Sequence, residues 1–69
     1  MEELVFEVTQ DADGGYTAQC LGEDIFTQGE SWDELRANAL EAVAAHYFDA
    51  TPPARIRLHM VRDEVVVRE

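Results

Sequence analysis

Two stretches decide how this chain reads: DGGYTAQC at residues 13–20 and IFTQGESWDELRANALEAVAAHY at residues 25–47. The first opens on Asp13-Gly14-Gly15, a turn signal, because a tight hairpin needs backbone with positive φ that glycine adopts without strain. Tyr16 to Leu21 then alternates, with Tyr16, Ala18 and Cys20 on one face. That period of two is the mark of a half-buried strand. The second stretch begins as a strand, Ile25 to Gln28, and stops at Gly29. Ser31 with Glu34 three residues on forms a capping box, which supplies partners for free N–H groups at a helix start. Glu30, Asp33 and Glu34 suit the positive end of the helix dipole.

The helix predicted after Ser31 carries an apolar stripe of Trp32, Leu35, Ala39, Leu40, Val43 and Tyr47. Arg36 falls inside the arc of that stripe, with its stem expected along the edge and its head in water. Glu34, Asn38, Glu41 and Ala45 lie opposite. The helix is expected to end near Phe48, ahead of Thr51-Pro52-Pro53, since two prolines cannot continue it.

Working outward, residues 2–9 alternate, with Leu4, Phe6 and Val8 on the inner face. Arg55 to Val61 alternates again: Ile56, Leu58 and Met60 point in, and Arg55, Arg57 and His59 point out. Arg62-Asp63-Glu64 reads as a turn and Val65 to Val67 as a short final strand. The expected fold class is α+β: a three-stranded antiparallel meander, one helix, then one or two further strands. One helix with one apolar stripe covers one face of an antiparallel sheet, which makes a two-layer sandwich. Val5, Leu21 and Phe26 are left on the outer face as sticky positions suited to self-association.

The chain has 69 residues, so residues 1–69 make a single domain. A domain this small buries only about 60% of its unfolded surface. Its single cysteine, Cys20, excludes an intrachain disulfide, and neither Cys20 nor the histidines, His46 and His59, sit in a cluster with metal-ligand spacing. Association is the remaining staple, so a homo-oligomer is expected. The N-terminal MEELVFEV has neither a basic region nor a long apolar run, so no signal peptide is expected. No membrane span is expected either, and a lone cysteine fits a reducing cytoplasm.

Fifteen acids face five arginines, for a net charge of −10, and there is no lysine. Such a field repels phosphate backbones, so direct nucleic-acid binding is not expected. It attracts basic partners and speeds their encounter. The charge is unevenly placed: residues 1–54 hold twelve acids and the single base Arg36, whereas residues 55–69 hold four arginines and three acids. Glu34 and Glu41, on the outer helix face, are the candidate partner-binding residues.

Catalysis is not expected. Asp11, Asp13 and Gly14 suggest a calcium loop, but the position that should hold a bidentate acid is Gly22, and strands flank the turn instead of helices. Cys20 reads as a buried structural residue with no base beside it. No nucleophile, base and orienter stand together, and Gly14-Gly15 is not followed by a helix that could hold a phosphate. No cofactor or metal is implied.

The quoted stretches resemble the N-terminal domain of the HicB antitoxin family. The shared pattern is Asp13-Gly14-Gly15-Tyr16, then Thr27 and Gly29 closing the third strand, then Ser31, Trp32 and Glu34 at the helix start, with Glu41-Ala42 near its middle. By motif this covers about half the chain, and by element order most of it. The resemblance implies a partial RNase H-like fold without catalytic acids. It also implies a protein that self-associates and neutralises a small basic ribonuclease toxin of the HicA type. The segment Cys20 to Asp24 is shorter than the family's Pro-containing connection. The family's C-terminal DNA-binding segment has no counterpart before Glu69, so promoter binding by this chain is not expected. The alternative is an orphan homo-oligomeric accessory domain with no toxin partner. A basic reading frame of about sixty residues beside this one would favour the antitoxin.

Overall fold

The computed structural model describes residues 3–69. In chain order the elements are β1 (Glu3–Gln10), β2 (Tyr16–Cys20), β3 (Phe26–Gly29), α1 (Trp32–His46) and β4 (Arg55–Val61). The fold is α+β, with one helix laid on a four-stranded sheet of order β3-β2-β1-β4. Met1 and Glu2 lie outside the described residues, so the expected start of the first strand at residue 2 does too.

The first three strands form the expected meander. β1 and β2 pair antiparallel from Phe6↔Cys20 to Gln10↔Tyr16, and β2 and β3 from Tyr16↔Gly29 to Gln19↔Phe26. The turn between β1 and β2 works as its sequence suggests. Gly14 takes φ +97°, the Gly14 N–H donates to the Asp11 carbonyl at 3.0 Å, and the Asp11 N–H donates to the Gly15 carbonyl at 2.6 Å. Asp13 Oδ1 accepts from the Gly15 N–H at 3.1 Å. Asp beside Gly thus supplies both the side-chain acceptor and the left-handed backbone that the reversal needs.

The expectation of a wholly antiparallel sheet needs correcting. β4 pairs with β1 in parallel, from Glu3↔Arg55 to Thr9↔Val61. β1 and β3 run the same way, and α1 returns the chain across the sheet. The strand that follows must therefore run with β1, and parallel neighbours require just such a crossover. The expected final strand at Val65 to Val67 is absent: residues 62–69 form no helix or strand, and the three valines are 90%, 78% and 82% exposed.

The core consists of Leu4, Phe6 and Val8 from β1, Ala18 and Cys20 from β2, Ile25 ahead of β3, and Leu35, Ala39 and Val43 from α1. Trp32 and Tyr47 pack at its edge, as do Ile56 and Leu58 of β4. One member of the expected helical stripe is misplaced: Leu40 is 55% exposed. At about 100° per residue it lies roughly 140° around the helix from Leu35, outside the arc that meets the sheet. Ala42, only two residues on, takes the place at the core that Leu40 was expected to hold. The helix ends at His46, two residues before the expected Phe48, with Tyr47 N–H closing on the Val43 carbonyl at 3.0 Å.

Candidate functional site

At one end of the sandwich two connections and the first turns of α1 converge. The β1–β2 turn brings Asp11, Asp13 and Gly15. The β3–α1 junction brings Gln28, Gly29, Glu30 and Glu34, and Asn38 follows one helical turn on. Together they line an open groove of about 430 Å³ that has no basic residue in its wall.

Each wall is held by local chemistry. Ser31, in extended conformation, caps α1: its hydroxyl accepts from the Glu34 N–H at 3.1 Å. The Glu34 carboxylate reaches back and accepts from the Glu30 N–H at 3.0 Å, one residue earlier than a standard capping box. Asn38 Nδ2 donates to the Gln28 carbonyl at 2.7 Å and ties the helix to β3. Trp32 meets Tyr16 edge to face, with ring centroids 5.5 Å apart, and both pack against the core.

Gly29 permits this close fit. A Cβ there would sit 2.5 Å from the Leu35 backbone nitrogen and 2.7 Å from its Cα. Those are helix backbone atoms that cannot swing aside. The strand therefore passes under the first turn of α1 only because position 29 lacks a side chain.

Of the two residues singled out from sequence, the structure places Glu34 in this groove and Glu41 outside it. Both are exposed. Glu41 lies two turns further on the same face, roughly 10 Å along the axis. The residues that sequence reasoning missed as a group are Asp11, Asp13 and Glu30. The signal was present: in a meander the first turn and the end of the third strand fall at the same end of the sheet, and both carry acids.

Burial pushes the Cys20 thiol up, only partly opposed by a backbone hydrogen bond at Glu23. His46 Nε2 lies 3.2 Å from Glu23 Oε1 at the far end of α1. Arg36, expected along the stripe's edge, is mostly exposed and pairs with Asp33 at 2.7 Å. Among the described residues no group of three or more His, Cys, Asp or Glu is arranged to hold a metal ion. No helix among them is long and apolar enough to cross a membrane.

The chain is 35% identical over 65 residues to a UPF0150 protein of Thermotoga maritima, an alignment that spans 94% of this chain and 91% of the relative. It is 39% identical over 49 residues to a UPF0150 protein of Archaeoglobus fulgidus, spanning 71% of this chain and 74% of the relative. No family model matches the chain, and no solved structure matches it significantly.

Proposed function

This chain belongs to the UPF0150 protein family, and from that premise we propose that it is an antitoxin-like protein-binding domain of the HicB type. In this reading it masks a small basic ribonuclease of the HicA kind, in the cytoplasm, and performs no chemistry itself. The observation that carries the reading is where the HicB-like residues come together. Asp13, Gly15, Gly29 and Glu34 all line the acidic groove, and Ser31 caps the helix that forms one of its walls. Part of the pattern that carries the resemblance thus lines this acidic concave surface, beside Asp11 and Glu30, which lie outside the pattern.

The physics follows from the charge. A ribonuclease must hold a phosphate backbone, and it does so with arginines and lysines. The same basic surface is attracted to four carboxylates, those of Asp11, Asp13, Glu30 and Glu34, gathered around one groove. Guanidinium groups pair with carboxylates in short, charge-assisted hydrogen bonds. A domain seated there occupies the surface that RNA needs, so inhibition requires no catalytic group.

The test starts by looking beside this chain's reading frame for one that encodes a small basic protein, and its absence counts against the proposal. The two proteins are purified separately, and RNA cleavage by the basic chain is followed as this domain is added. Stoichiometric loss of cleavage is expected, with weaker inhibition by an Asp13→Asn/Glu34→Gln variant that still folds. Cleavage untouched by the wild-type domain would sink the proposal.

A further inference from the structure

We infer that β4 and the residues after it form a self-complementary interface, which pairs antiparallel with the same stretch of a second copy and joins two sheets at their β4 edges. This goes beyond the protein-binding reading and does not depend on it.

Four observations bear on it. First, among the described residues β4 pairs only with β1, so its other edge carries ladder N–H and C=O groups with no described strand beside them. An unpaired edge is a template for another strand. Second, α1 packs over β2 and β3. The inward residues of β1 are buried, whereas on β4 Ile56 and Leu58 are only half-buried and Met60 is 39% exposed. Third, β4 runs on into an arm that stands away from the domain. The longest dimension is 55 Å, close to the roughly 50 Å that residues 55–69 span as one extended strand. The radius of gyration is 13.8 Å, against about 11 Å for a compact chain of this length. Val65, Val66 and Val67 on that arm lie in water, although β-branched residues are the ones best suited to a ladder.

The fourth observation selects the occupant. Two copies with a net charge of −10 repel each other over most of their surface. Residues 55–69 are the exception, with four arginines interleaved with three acids. A twofold interface must complement itself, and this stretch does. Antiparallel pairing about an axis at Val61 keeps odd-numbered residues on one face and even-numbered residues on the other. Ile56 then faces Val66 of the second copy, Arg57 faces Val65, and His59 faces Asp63. All three valines lie opposite β4, and no two like charges stand directly opposite one another.

The full-length protein is tested by sedimentation across a concentration series, together with two variants. The wild-type chain is expected to sediment as a dimer. Replacing Val65, Val66 and Val67 together with Ser leaves the charge unchanged and should weaken the dimer at least roughly tenfold while the circular dichroism stays native. A Val61→Cys variant should cross-link to itself under mild oxidation, because directly opposed Cβ atoms in an antiparallel pair lie about 4.5–5.5 Å apart, close to disulfide reach. A Glu41→Cys variant should not. A strictly monomeric wild type, a dimer unaffected by the triple substitution, or a Val61→Cys variant that fails to cross-link would each overturn the inference.

Discussion

Gly29 and Leu35 meet where β3 passes beneath the helix start, and both are constrained by contact. Gly29→Ala drives a methyl group into helix backbone, so it should destabilise the fold by about 1–3 kcal/mol, the usual cost of overpacking. Leu35 is fully buried and Leu40 is mostly exposed, although both belong to the stripe read from sequence. Leu35→Ala should therefore cost about 2–5 kcal/mol. Leu40→Ala should change stability by no more than about 0.5 kcal/mol. Urea unfolding of the three variants checks all of this. A Leu40→Ala variant as unstable as Leu35→Ala would mean that the helix is rotated from the orientation described.

Between elements, the join of β1 to β4 has an electrostatic component. Arg57 Nε donates to Glu3 Oε2 across the parallel pair. That hydrogen bond, with the nearby charges of Arg57 and Arg55, holds the Glu3 carboxyl below its usual range against a smaller opposing effect of desolvation. A lowered carboxyl pKa means that the stabilisation is present above the unfolded value of about 4.3 and is lost as pH falls through the folded value. The Arg57 side chain is 56% exposed and that of Glu3 24%, so solvent still reaches the pair and its contribution is small and screened by salt. Glu3→Gln should thus be less stable than wild type near neutral pH, and the gap should close on acidification. Urea midpoints measured from about pH 7 down to about pH 3 test this. A gap that persists undiminished below the carboxylate range would show that the pair is not its source.

For the molecule as a whole, the separation of charge matters more than its sum. The groove end is acidic, whereas residues 55–69 are nearly neutral. Long-range attraction of a basic partner to the groove end raises the association rate more than it slows dissociation. It is screened over about 8 Å at physiological salt. The on-rate should therefore fall steeply across a salt series while the off-rate changes little, and Glu34→Gln/Glu41→Gln should slow association without unfolding the domain. An on-rate independent of salt and unaltered by the double substitution would reduce these acids to a solvated face.

The strands, their inward residues and the helix start were legible in the sequence because each rests on a local rule. Alternation places Leu4, Phe6 and Val8 inward on β1 with Ile56 and Leu58 on β4, Asp-Gly makes the reversal at Gly14, and Ser31 caps within three residues of Glu34. The helix stripe was legible in outline but drawn too wide, because apolar spacing says which residues share an arc and not how far the sheet extends beneath it. Leu40 shares the arc by spacing but lies beyond the sheet's edge, in solvent. The run at Val65 to Val67 carries strand propensity, yet propensity without a neighbouring strand leaves the ladder unmade, and these valines have none among the described residues. The direction of β4 and the assembly of Asp11, Asp13, Glu30 and Glu34 around one groove could not be read locally. They depend on the helix carrying the chain back across the sheet and on which ends of the strands then fall together, contacts between residues far apart in sequence that no period of two or 3.6 encodes.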